Sequence, residues 1–122
     1  MENFTKKRVD SFRFAFLGLK NGFKKEPSLR IHGLGLFLVV VAGVFFHVNR
    51  NEWAILLVCC GFVIAAELMN TAIEKTCDLI NVQYCSRIKY IKDVAAATVL
   101  VLAITSCIIA LLIFGKYIFK LT

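Results

Sequence analysis

The sequence predicts an all-α integral membrane protein, with three transmembrane helices that follow an N-terminal amphipathic surface helix. Of its 122 residues, 59% are hydrophobic and one is proline, and the mean hydropathy is +0.75. That balance is typical of membrane proteins rather than soluble ones. Three apolar stretches are long enough to cross a bilayer, and a basic, aromatic segment precedes them. At this length we expect a single domain, residues 1–122.

The first segment, residues 4–25, has the pattern of a helix that lies in the membrane interface. Its apolar residues recur at intervals of three and four: Val9, Phe12, Phe16, Leu19 and Phe23. Eight of the fifteen lysines and arginines lie within the first thirty residues. We expect the aromatic face on the membrane and the cations toward anionic headgroups. The net charge of +7 is therefore interpreted as a membrane-surface feature, and no nucleic-acid partner is expected.

Proline ends this helix, because Pro27 disfavours helical geometry in Glu26. We then expect spans over residues 29–48, 53–79 and 90–115. The basic N-terminal helix and a basic loop over residues 81–92, with Arg87, Lys89 and Lys92, lie on one side, which the positive-inside bias makes cytoplasmic. His32 and His47, near the ends of the first span, are interpreted as interfacial residues.

The five cysteines show no CxxC spacing, so we expect neither a disulfide framework nor a metal cluster.

Four polar side chains form a narrow stripe at the end of the second span. At 100° per residue, Glu67, Asn70, Glu74 and Asp78 project within an arc of about 80°. An ionisable group at the centre of a bilayer costs about 2.5–3.5 kcal/mol and is by default a functional-site hypothesis. Hydrogen bonding between packed helices is the alternative explanation. Three acids on one face are more than helix association needs.

The stripe is graded in depth. Measured along the helix from Trp53, an interfacial anchor, Glu67 lies at about 21 Å and Glu74 at about 31 Å. Against a hydrocarbon core of about 30 Å, Glu67 is submerged and Glu74 reaches the surface. One acid can therefore meet a lipid headgroup, and the other a solute in water. Three helices cannot shield such a stripe alone, so we expect an oligomer.

This arrangement suits phosphoryl transfer to a membrane alcohol. Glu67 would act as the general base, and Glu74 with Glu26 would hold Mg²⁺. Lys92 would contact the phosphates. The sequence has no Walker loop and no Gly-rich kinase loop. Its residues thus permit kinase chemistry without requiring it. Two alternative functions remain: a small proton-coupled transporter that uses Glu67, and a structural subunit.

The stripe and the Lys92-Asp93 pair resemble the signature of the small bacterial integral-membrane diacylglycerol kinase and undecaprenol kinase family. The matching motif is Glu67-xx-Asn70-Thr-Ala-Ile-Glu74-xxx-Asp78, and Ser11-Phe12, Gly18 and Glu26 also fall at matching positions. The resemblance implies a homotrimer of three-span subunits in the bacterial cytoplasmic membrane, with composite active sites at the cytoplasmic face. It also implies Mg²⁺-dependent transfer of the ATP γ-phosphate to a lipid alcohol.

The resemblance assigns roles to individual residues. Glu67 corresponds to the general base, and Glu26 and Glu74 correspond to the metal ligands. Nucleotide contacts are implied for Lys7, Phe14, Glu26, Glu74, Lys92 and Asp93. Asn70 and Asp78 support the site, and Arg30 with Glu67 is expected to contact the lipid acceptor.

Three departures from the pattern bear on the acceptor. Phe14 stands where the proteobacterial diacylglycerol enzymes have a tyrosine, and His32 stands where they have a glutamate. Glu52-Trp53 opens the second span instead of a sequence with arginine. His32 and Glu52-Trp53 are similar to the undecaprenol kinase branch. We therefore favour undecaprenol over diacylglycerol as the acceptor.

Overall fold

The computed structural model describes residues 2–80, 83 and 85–119, and it folds them into four helices. These are α1 (Glu2–Lys25), α2 (Pro27–Phe46), α3 (Arg50–Ile80) and α4 (Ser86–Phe119). The described residues contain no strand. Helices α2, α3 and α4 are each long and apolar enough to cross a membrane. The predicted all-α fold, with three spans and a preceding amphipathic helix, is confirmed.

The junction between α1 and α2 is closely packed. Glu26 adopts an extended conformation (φ −107°, ψ 111°), and Pro27 begins α2. The Arg30 guanidinium donates to the last carbonyls of α1, those of Phe23 (3.2 Å) and Lys24 (2.7 Å). A Cβ at Gly22 would lie 3.0 Å from the fully buried Leu29 and 3.2 Å from Leu68. Glycine therefore lets the end of α1 approach both α2 and α3, which brings Glu26 to the side of α3.

Helix α4 starts before the apolar span predicted over residues 90–115. Its first turns hold Arg87, Lys89 and Lys92, so these cations lie on a helix and not in a loop. Neither proline nor glycine occurs between residues 86 and 114. The Lys89 ammonium also lies 2.7 Å from an Asp93 carboxylate oxygen one turn later. The predicted span was shorter than α4 because hydropathy detects only the apolar part of a helix. The helix itself continues into the polar residues before that part.

At the other end of the bundle, a network of polar contacts joins the start of α3 to the last turns of α4. The Asn49 N–H donates to Glu52 Oε1 (3.0 Å), and the Glu52 N–H donates to Asn49 Oδ1 (2.9 Å), which forms a capping box at the start of α3. The same carboxylate accepts hydrogen bonds from the Lys116 ammonium and the Tyr117 hydroxyl at the end of α4. An apolar cluster of Val48, Leu56 and Ile113 lies beside it. These contacts hold the turn between α2 and α3 against the end of α4.

At the same end of the bundle, α2 ends at His47, and Gly43 faces the ring of Trp53. His47 ends α2 in the left-handed conformation (φ 55°), and its N–H donates to the Val44 carbonyl (3.3 Å). A Cβ at Gly43 would lie 2.5 Å from the Trp53 ring. Trp53 therefore packs across α2, in addition to the interfacial position predicted from the sequence.

Most of the apolar surface faces outward. Only 11% of the most apolar segment of α2, 28% of that of α3 and 11% of that of α4 is buried. Helix α3 is central, since α4, α2 and, through Gly22, α1 all approach it. The outward faces are therefore available to lipid or to other copies of the chain.

We predict that Glu52→Gln destabilises the fold without displacing the stripe, because a neutral amide loses the charge-assisted bond to Lys116. Thermal unfolding in detergent should show a Tm several degrees lower. Arg50→Gln, an exposed change in the same turn, is the matched control and should leave the Tm unchanged. Equal Tm values for the two variants would show that the network does not stabilise the bundle.

Candidate active site

The polar stripe of α3 becomes more exposed along its length. Glu67 is 5% exposed and Asn70 is 7% exposed, whereas Glu74 is half-buried and Asp78 is exposed. Its deepest carboxylate is therefore enclosed by protein within a single chain. The last one is open to solvent.

Two side chains of α2 contact the Glu67 carboxylate. The Ser28 hydroxyl donates to Oε1 (2.7 Å), and His32 Nε2 lies 3.5 Å from Oε2. The interpretation of His32 as an interfacial residue is incomplete, because its half-buried imidazole faces this acid. Neither contact was predicted. The available signal was the i, i+4 spacing of Ser28 and His32, which places two polar groups on one face of an apolar helix.

The amide of Asn70 orients the next acid of the stripe. Its Nδ2 donates to Glu74 Oε1 (3.3 Å). Its Oδ1 is buried and accepts no hydrogen bond from any residue that the structure describes. Buried acceptors are nearly always satisfied, so this oxygen points to a further partner at the stripe.

Glu26 reaches α3 from the α1–α2 junction. Its Oε1 lies 3.5 Å from the Lys75 ammonium, one residue beyond Glu74. A cavity of about 710 Å³ opens here between α1 and α3, lined by Gly18, Asn21, Lys25, Glu26, Thr71 and Lys75. Lys75 was not among the predicted site residues. Because it lies off the stripe, its relation to Glu26 depends on how α1 meets α3.

The start of α4 is joined to the end of α3 by an ion pair. The Lys92 ammonium lies 2.6 Å from Asp78 Oδ1, and the Asp93 carboxylate pairs with Lys89 on the same helix. Asp78 thus holds Lys92 against the exposed end of the stripe, within the electrostatic influence of Glu74.

Three residues predicted to contact substrates have other contacts in a single chain. Lys7 and Phe14 are exposed on α1, where the Phe14 ring lies 5.1 Å from the Arg13 guanidinium. Lys7 is about 28 Å along the helix from Glu26. Arg30, expected to contact the acceptor, caps α1 through its carbonyls.

Oxygen ligands for a cation are present but dispersed. No group of three or more His, Cys, Asp or Glu side chains that could hold a metal occurs among the described residues. Glu26 lines the cavity, whereas Glu74 and the Asn70 amide oxygen belong to the stripe and are not among the residues that line it. Mg²⁺ commonly takes one or two carboxylates and completes its shell with water and substrate phosphates, so Glu26 and Glu74 are of the ligand type that Mg²⁺ uses.

Comparison with known proteins agrees with the resemblance. Residues 13–114 match the family described as prokaryotic diacylglycerol kinase. The undecaprenol kinase of Bacillus subtilis is 38% identical over 104 residues, which cover 85% of each chain. The diacylglycerol kinase of a Synechocystis strain is 34% identical over 100 residues, 81% of this chain and 57% of that protein. The diacylglycerol kinase of Escherichia coli K12 is 29% identical over 95 residues, 78% of each chain.

The family match covers most of the chain, and it includes the stripe, the Glu26 junction and the start of α4. Nothing in these comparisons supports the transporter alternative. The protein is an integral membrane lipid kinase of bacterial type, and the chain belongs to the prokaryotic diacylglycerol kinase family.

Proposed function

We propose that this lipid kinase transfers the γ-phosphoryl group of ATP to the hydroxyl of undecaprenol, with diacylglycerol as the second candidate acceptor. The relative named as an undecaprenol kinase shares more identity with the chain than the two diacylglycerol kinases compared with it. His32 and Glu52-Trp53 favour the same branch. The enclosed Glu67 carboxylate, at the deep end of a graded polar stripe, is the observation that carries the kinase mechanism.

In this mechanism Glu67 is the general base. It accepts the proton of the acceptor hydroxyl while the hydroxyl oxygen forms a bond to the γ-phosphorus. The bond from that phosphorus to the bridging oxygen breaks, and ADP leaves. The proton remains on Glu67 until it is released to solvent.

Glu26 and Glu74 are proposed as ligands for Mg²⁺, which would neutralise charge on the nucleotide phosphates. Asn70 holds Glu74 from one side and presents its unpartnered Oδ1 on the other. Asp78 engages one of the three ammonium donors of Lys92, which leaves two for phosphate oxygens. Asp93 lies at the same end of α4 as Lys92.

We propose that the active sites are composite and that the protein is a homotrimer. The length of α1 supports this, since Lys7 cannot reach the Glu26 of its own chain along a straight helix. The outward apolar faces of α2 and α4 offer surface for subunit contacts.

The site is proposed to face the cytoplasm. Twelve of the fifteen lysines and arginines belong to α1, the start of α2, the end of α3 and the start of α4. This end of the bundle also carries Glu26 and Glu74. Positive residues are enriched on the cytoplasmic side of membrane proteins.

The acceptor is tested with labelled ATP, Mg²⁺ and mixed micelles that contain either undecaprenol or diacylglycerol. We expect label in both lipids and a higher kcat/KM for undecaprenol. A higher value for diacylglycerol would reverse the assignment. No label in either lipid, with folded protein, would reject the proposed reaction.

Glu67→Gln should abolish lipid phosphorylation, with a loss of at least about 100-fold in kcat, because the amide keeps hydrogen bonding but cannot accept the proton. Glu52→Gln changes the other buried glutamate, at the opposite end of the bundle, and should retain turnover at a temperature well below its Tm. Substantial turnover by Glu67→Gln would remove Glu67 from the role of base.

Glu74→Gln should raise the Mg²⁺ concentration needed for half-maximal rate, and high Mg²⁺ should partly restore activity. The cause is the loss of one anionic ligand. Asp10→Asn, which changes a half-buried acid on α1 that pairs with Arg13, serves as the control. A rate loss that does not depend on Mg²⁺ would argue against metal ligation by Glu74.

A further inference from the structure

The two oxygens of the Glu67 carboxylate have different surroundings. Oε1 accepts a short hydrogen bond from Ser28 (2.7 Å), whereas Oε2 faces the more distant His32 Nε2 (3.5 Å). Both partners come from the first two turns of α2. The side of α2 that faces α3 therefore presents two possible donors to one carboxylate.

A general base must hold one oxygen in a defined direction. The last torsion of a glutamate side chain is broad, so one hydrogen bond at Oε1 still allows the carboxylate plane to rotate about that contact. A second donor at Oε2 removes this freedom. Each carboxylate oxygen has two acceptor sites, so a bond from His32 leaves one site on Oε2 for a substrate proton.

The surroundings of His32 strengthen such a bond. Its side chain is 23% exposed and lines a cavity of about 310 Å³ between α2, α3 and α4. The cavity is mostly apolar, with Gly35, Val39, Val63 and Ala103 among its lining residues. Hydrogen bonds are electrostatically stronger in such low-dielectric surroundings than in water. Contacts between catalytic groups also commonly shorten when the reacting complex forms.

We propose that His32 is a positioning residue for the general base. Its Nε2–H donates to Glu67 Oε2 and, together with the Ser28 hydroxyl, fixes the plane of the carboxylate before the acceptor hydroxyl arrives. This inference rests on the proposed role of Glu67. It assigns His32 to the orientation of the base and not to proton transfer.

Two substitutions separate this role from simple packing. His32→Gln retains an N–H donor near the position of Nε2 and should keep kcat within about threefold of the wild type. His32→Leu fills similar space without a donor and should lower kcat by about 10- to 100-fold. The KM values for ATP and lipid should change little, because the loss concerns orientation of the base and not binding.

His47→Gln is the matched control. It changes the other histidine of the chain, which caps the far end of α2, and should leave both kinetic constants unchanged. Ser28→Ala removes the other donor. Combined with His32→Leu, it should lower kcat by a factor that differs from the product of the single effects, because both residues act on one carboxylate.

The outcomes distinguish this inference from the function on which it rests. If the wild type phosphorylates lipid and Glu67→Gln is inactive, but His32→Leu has normal kcat, the positioning role is wrong and the kinase mechanism stands. If His32→Gln is folded and as impaired as His32→Leu, a hydrogen-bond donor is not what His32 supplies. If the wild type labels no lipid, or Glu67→Gln stays active, the proposed function itself fails.

Discussion

The need to satisfy a buried carboxylate on a membrane helix governs the arrangement at the site end of the bundle. A charge taken out of water is costly unless it is paired and hydrogen-bonded. Glu67 meets this need in part, through one short hydrogen bond from Ser28 and a longer contact with His32, both on α2. Helix α2 begins at Pro27, and its first turns, which hold Ser28 and His32, lie against α3. The extended Glu26 immediately precedes α2 and lies beside Lys75 of α3.

The two buried glutamates of α3 illustrate different uses of the same side chain. Glu52 accepts hydrogen bonds from a backbone N–H, an ammonium group and a hydroxyl, and it caps the helix to which it belongs. Glu67 has one short bond and one longer contact, both from side chains. The well-satisfied acid stabilises the fold. The incompletely satisfied acid retains the acceptor capacity that a general base requires.

A single chain assembles the stripe but not every contact that the family resemblance implies. Glu67, Asn70 and Glu74 occupy one helix face, and Lys92 is held there by Asp78. The basic N-terminal part of α1 extends away from this group because a helix of 24 residues is rigid and long. Composite sites in an oligomer would resolve both this separation and the outward apolar faces.

The amino-acid sequence alone determined the helical fold, the three spans, the stripe of α3 and the family, because periodicity, hydropathy and motif spacing are local properties of the chain. Only the tertiary structure decided which faces meet. Ser28 and Glu67 are separated by 39 residues, and Glu52 and Lys116 by 64. No local pattern specifies the rotation of one helix against another. That rotation is set by packing between helices, at contacts such as Gly22 with Leu29 and Gly43 with Trp53.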